Sequence, residues 1–169
     1  MVTTTAPWNF KEIDPRVIFL GTGSMKPSTY RNVSAILLEM HPNNSIMLDC
    51  GEGTYYQLLN HFGADKVEQA LMALKVIFIT HIHSDHNLGI LNLISQRKKI
   101  CDANGQPNDL FLIVPYNMAP WIYAYNEFIE RLGVKYLFIQ TILGETYELS
   151  GTVSKDERCY TAPETVQEA

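Results

Sequence analysis

Val76-Ile77-Phe78-Ile79-Thr80-His81-Ile82-His83-Ser84-Asp85-His86 decides the fold. Its first five residues are apolar on both faces until a polar end, the pattern of a strand buried within a sheet. The next six carry four candidate metal ligands. On an extended segment side chains alternate, so His81 and His83 point the same way and can share one ion, while Asp85 and His86 on the following bend can reach a neighbouring one. Imidazole nitrogen and carboxylate oxygen suit Zn²⁺ and related divalent ions, and a strand-end loop is where α/β folds place sites. A merely polar surface loop is the competing account. The density of ligand types directly after a buried strand argues against it.

Upstream, Leu48-Asp49-Cys50-Gly51-Glu52-Gly53 follows a second strand-like run, Ser45 to Asp49. Asp49 at its end is placed to approach the His loop and to accept the N–H of a ligand His, fixing its tautomer. A turn-forming or helix-capping Asp beside glycines is the other account, and both can hold at once. Earlier strands are expected at Arg16 to Leu20 and Val33 to Met40, the latter joined to the Ser45 strand through the His41–Asn44 turn. Between strands, Tyr55, Leu58, Leu59 and Phe62 keep helical spacing up to Gly63, and a short helix is expected from Asp65 to Ala73.

Beyond the His loop, a helix from Asn87 closes at Arg97-Lys98-Lys99, where cations suit the helix dipole. Leu110 to Pro115 is strand-like. Met118, Trp121, Ile122, Tyr125, Phe128, Ile129 and Leu132 predict a core helix, with Asn117 as N-cap and Gly133 as its stop. Tyr136 to Ile142 and Thr146 to Leu149 predict two more strands. The division expected is a lead-in over 1–15, a domain over 16–150 and a disordered tail over 151–169. Strands alternating with helices make the class α/β or α+β.

The 169 residues are 46% hydrophobic and 18% charged, the composition of a globular domain. No apolar run approaches the roughly 20 residues needed to cross a bilayer, so no membrane is expected as a partner. The N-terminus lacks the features of a secretory signal, and the chain reads as intracellular. Three dispersed cysteines build neither a disulfide framework nor a Cys-based zinc knuckle, so any metal must be held by His and carboxylates. A net charge of −5 argues against a purely electrostatic nucleic-acid binder. Gly21-Thr22-Gly23-Ser24 reads equally as a phosphate-cradling nest or a tight turn. Arg97 to Lys99 reads as RNA contact or as a solvated helix end. His41 and His61 read as a solvated turn residue and a residue beside a core face.

HIHSDH after a strand, with LDCGEGT upstream, resembles the metallo-β-lactamase superfamily, whose domain is a four-layered αββα sandwich. IFLGTGS, PSTYRNVS, LDCGEGT and ITHIHSDHNLGI, in that order over roughly residues 16 to 150, resemble ribonuclease Z, the endonuclease that trims tRNA 3′ trailers. The PWNF and DPRVIFLGTGS opening resembles the catalytic half of its long eukaryotic form. The resemblance implies two zinc ions, with His81 and His83 on one, Asp85 and His86 on the other, and Asp85 doubling as proton acceptor. It further implies precursor tRNA as substrate and the nucleus, the mitochondrion or both as compartment, with the cytoplasm open. Arg31 and Asn32 match the loop that contacts the CCA-proximal end of tRNA, although Thr29 stands where that loop carries Lys.

No His follows His86, whereas the family completes its two sites with two later His and a bridging Asp. His81 and His83 therefore supply two of the three protein ligands that a catalytic zinc takes. The chain is expected to be the N-terminal half of the catalytic domain, completed by its missing C-terminal half or paired as a homodimer, binding zinc weakly and cleaving little alone. A thiolester or lactam hydrolase of the same superfamily, and a non-catalytic truncated isoform or partner-binding fragment, are the competing functions.

Overall fold

In a computed structural model, residues 14–142 are described. They build one six-stranded sheet in the order β1-β2-β3-β4-β5-β6. β1 (Arg16–Gly21), β2 (Ala35–His41) and β3 (Asn44–Leu48) form an antiparallel meander. The β2–β3 connection is the expected tight one, with His41 paired to Asn44. β4 (Leu74–Phe78), β5 (Phe111–Val114) and β6 (Lys135–Phe138) then add in parallel. Parallel neighbours need crossovers, and helices provide them. α1 (Thr54–Phe62) and α2 (Val67–Ala73) lead from β3 to β4. α3 (Ser84–Asn87) and α4 (Ile90–Ala103) lead to β5. A 3₁₀ turn (Tyr116–Met118) and α5 (Ala119–Phe128) lead to β6, and α6 (Ile139–Ile142) follows it.

Strand alternation divides the sheet into two apolar faces. Leu37, Met47, Ile77 and Leu112 stand directly opposite one another across β2 to β5 and join Leu58, Leu71, Leu93, Ile94 and Ile122 of the helices in the buried core. The other face carries a second row in strict register: Phe19, Ile36, Leu48, Phe78, Ile113 and Leu137. Phe19 is 65% exposed, and none of this row belongs to the core cluster. The described residues thus form one helical layer and one sheet, half of the αββα arrangement.

Five expectations are corrected. β2 begins at Ala35 because Val33, although fully buried, is engaged in an isolated bridge to Gly23. The strand expected to run to Ile142 stops at Phe138, opposite Val114. β5 ends there, so the next residues have no ladder to join and satisfy their backbone groups in a helical turn. The Met118 helix stops at Phe128, leaving Phe128 and Ile129 exposed; Leu132 still enters the core because Asn126 accepts its N–H at 3.0 Å. Asn117 lies inside the 3₁₀ turn rather than capping the helix. Finally, the helix expected from Asn87 is divided at Leu88-Gly89, and α4 runs on to Ala103. The expected Thr146–Leu149 strand, the tail over 151–169 and nearly all of the lead-in lie outside the described residues.

Candidate metal centre

The ladder between β3 and β4 extends one residue past β3, with the Asp49 N–H donating to the carbonyl of Phe78, the last residue of β4, at 2.8 Å. Two parallel strands therefore finish side by side, and Asp49 and Thr80 become neighbours although 31 positions apart. Asp49 sits at φ 57, a left-handed conformation uncommon outside glycine. Its carboxylate is 9% exposed and takes four donors. Oδ1 accepts the Thr80 N–H at 2.9 Å and the Thr80 hydroxyl at 2.8 Å. Oδ2 accepts the Ser34 hydroxyl at 3.2 Å and meets Nδ1 of His86 at 2.6 Å. A carboxylate has about four lone-pair sites, so this one is fully used in orienting its neighbours.

The His loop is pressed onto the Asp49 loop by backbone contacts. The Cys50 N–H donates to the His86 carbonyl at 2.7 Å, and the Gly89 N–H donates to the Cys50 carbonyl at 2.9 Å. A Cβ on Gly89 would lie 2.0 Å from the Gly51 carbonyl oxygen, and one on Gly51 would lie 2.4 Å from the Asp85 carbonyl oxygen. Only glycines allow this approach. Asn87, buried, donates its amide to the His83 carbonyl at 2.9 Å, which fixes the turn carrying Asp85 and His86.

The four expected ligands are gathered. Nε2 of His81 lies 3.1 Å from Nδ1 of His83, and the His81 and His86 rings are 4.1 Å apart between centroids. Nε2 of His86 is 3.6 Å from Oδ2 of Asp85, which also accepts the Met25 N–H at 2.8 Å. That N–H, with His86 and His83 beside it, holds the Asp85 carboxyl below its ordinary value. The donor chemistry fits divalent ions, and the side chains meet in pairs: among the described residues no three His, Cys, Asp or Glu side chains form a single group that could hold one. Beneath the cluster, full burial pushes the Cys50 thiol up to about 12.

Arg31 and Asn32 are separated by the fold. Arg31 is exposed, while Asn32 is half-buried against Gly53 with its carbonyl accepting the Gly23 N–H at 2.7 Å. That bond occupies the Gly23 N–H, which favours the tight-turn account of Gly21 to Ser24 over a phosphate nest. Arg97 is neither an RNA contact nor a solvated helix end, because α4 turns it inward at 1% exposure. There it donates to the Leu71 carbonyl at 3.0 Å and to the Asn108 side chain. Thr80, Ser34 and the Met25 backbone, all touching the cluster, escaped the sequence reading. Only Thr80 carried a signal, as the polar end of an apolar strand.

The family described as Anti-Pycsar protein Apyc1 matches residues 15–130. Zinc phosphodiesterase ELAC protein 2 of Macaca fascicularis is 40% identical over 123 residues, covering 72% of this chain and 15% of the relative. The mitochondrial ribonuclease Z of Drosophila melanogaster is 34% identical over 151 residues, covering 89% of this chain and 19% of the relative. The crystal structure of a long-form RNase Z from yeast superposes with a TM-score of 0.66 at 27% identity, over 73% of this chain and 17% of that one. A metallo-β-lactamase fold protein of Bacillus subtilis, at 17% identity and a TM-score of 0.51, shares the fold alone. The chain thus spans less than a fifth of the length of these curated relatives.

Proposed function

From the premise that this chain belongs to the family described as Anti-Pycsar protein Apyc1 and is a ribonuclease Z relative of metallo-β-lactamase fold, we propose that it is part of a zinc-dependent endoribonuclease that removes 3′ trailers from precursor tRNA. The observation that carries this is the 2.6 Å contact of Asp49 with Nδ1 of His86, which turns Nε2 of that ring toward Asp85, with the His81 ring 4.1 Å away between centroids. His81 and His83 would hold one zinc, and Asp85 and His86 a second. Bound there, the ions would supply water activation and charge neutralisation at the scissile phosphate.

The chain's own residues orient donors and move a proton. Asp49 fixes His86; Met25 keeps Asp85 ionised, which suits it to ligation and leaves it ready to accept a proton near the reacting water. Arg31, exposed on the loop that reaches Asp85 through Met25, would meet RNA phosphate, with Asn32 shaping the base of that loop. Mitochondrial action is the compartment favoured, from the name of the fly relative, with the nucleus second. No described helix is long and apolar enough to cross a membrane.

Zinc titration and a precursor-tRNA cleavage assay test this reading. The chain mixed with the remainder of the catalytic domain should cleave and leave a 3′-hydroxyl on the tRNA; the chain alone should bind zinc weakly and cleave little. Tight binding of two zincs by the chain alone, or no cleavage by the mixture, would overturn it. A second reading, a partner-binding half-domain without catalysis, is favoured by the row from Phe19 to Leu137, which stands outside the core cluster of the described residues. A second half-domain of the same fold is the occupant proposed for that face; association of the chain with itself, unaffected by metal and by that half-domain, would support the homodimer instead.

A further inference from the structure

We infer that Thr80 is a positioning residue for His81, relaying the Asp49 carboxylate to a second imidazole; the inference deepens the proposed function, whose zinc site it concerns. The argument is a count of protons. The Thr80 hydroxyl has one, and two heavy atoms lie within reach of it: Oδ1 of Asp49 at 2.8 Å and Nδ1 of His81 at 2.8 Å. A carboxylate oxygen only accepts, so the hydroxyl proton goes to Asp49 and Nδ1 of His81 must donate to Thr80. His81 is thereby held as the Nδ1–H tautomer, with the lone pair on Nε2. His86 is held in the same tautomer, because its Nδ1 meets Oδ2 of the same Asp49 at 2.6 Å.

One buried carboxylate thus sets two rings, one directly and one through a hydroxyl. The 3.1 Å contact between Nε2 of His81 and Nδ1 of His83 obeys the same count, since a bare Nε2 accepts from His83. An ion at Nε2 of His81 would take the place of that hydrogen bond without rotating the ring. Threonine suits the relay because its branched Cβ restricts χ1 and its backbone N–H is anchored on the same oxygen of Asp49 at 2.9 Å.

The test uses the full chain with Thr80→Val, which keeps the shape and removes the hydroxyl, and Thr80→Ser, which keeps the hydroxyl. Imidazole nitrogen shifts, read without metal about two pH units above the usual imidazole value of about 6.5, report the tautomer. The wild type and Thr80→Ser should show His81 with the proton on Nδ1, whereas Thr80→Val should move a large share to Nε2. Cobalt(II) titration gives the second readout: an affinity about 10 to 100-fold weaker in Thr80→Val, restored to near wild type in Thr80→Ser. Unchanged His81 shifts in Thr80→Val would overturn the relay, as would Thr80→Ser behaving like Thr80→Val. A wild type that binds no cobalt would count against the zinc reading alone, since the tautomer measurement still decides the role of Thr80.

Discussion

The backbone N–H of Met25 donates to Oδ2 of Asp85 at 2.8 Å across 60 positions of sequence. Met25 reaches there at φ 66 and Asp49 at φ 57, the two positive-φ residues other than glycine among those described. Both strained backbones therefore sit at the His cluster, where strain is retained when the surroundings over-determine it. The loop that exposes Tyr30 and Arg31 is tied to a candidate ligand in this way.

Replacing Met25 separates strain from hydrogen bonding. Met25→Gly keeps the N–H and relieves the left-handed backbone, so the Asp85 carboxyl should stay below its ordinary 3.8. Met25→Pro removes the donor and forbids the conformation, so that value should rise toward 3.8. Because the folded-state value is depressed, the stabilisation is present above 3.8 and lost as pH falls through the lower folded value. Carboxyl-carbon NMR titration of the metal-free chain measures both variants, and equal values in the two would remove the role given to this N–H.

Alkaline stability should report on Cys50. Its thiol is raised from 9.0 to about 12 by burial, against a hydrogen bond from Thr54 and with a small contribution from the Asp49 charge. A raised acid is protonated in the fold and ionises more readily when unfolded, so its contribution is complete below 9.0 and is lost as pH climbs to about 12. Urea midpoints should fall with pH in the wild type more steeply than in Cys50→Ala. In the folded chain the thiol should also resist alkylation at neutral pH.

Gly89→Ala tests the seam between the two site loops. The added Cβ meets the Gly51 carbonyl oxygen at 2.0 Å, a backbone atom that cannot swing aside. A loss of about 1–3 kcal/mol is expected from denaturant unfolding, along with a displaced His86 nitrogen shift. A neutral substitution would mean that the seam yields.

Arg97 should behave as a core residue. Arg97→Ala leaves the Leu71 carbonyl and the Asn108 side chain without their donor, at a cost of roughly 2–4 kcal/mol. Arg97→Lys should recover little, because a single ammonium lacks the fork that reaches both acceptors. RNA affinity per folded molecule, measured by filter binding, should be unchanged; a selective loss of RNA binding would return Arg97 to the surface role.

Much of the architecture was legible because it rests on local pattern. Tyr55, Leu58 and Phe62 at helical spacing and Gly63 after them mark α1 nearly to the residue. Four candidate ligands after Val76 to Thr80 mark the site, because a parallel strand delivers whatever follows it to the carboxyl edge of the sheet. Phe128 and Ile129 misled for the opposite reason: they continue an apolar helical pattern, yet α5 has already ended and the chain turns back on the Tyr125 carbonyl. Arg97 misled because one charge among three looks alike on every side of a helix until its packing partners are known.

The amino-acid order alone settled the alternation of strands and helices, the ligand types and their crowding on one loop, since these depend on side-chain period and on neighbours a few residues apart. Tertiary structure decided which atoms hold those ligands. Asp49 meets Thr80 and His86, and Met25 meets Asp85, through contacts spanning 31 to 60 positions. Such contacts exist only once strand register has brought distant backbone ends together, and no local periodicity encodes which lone pair faces which proton.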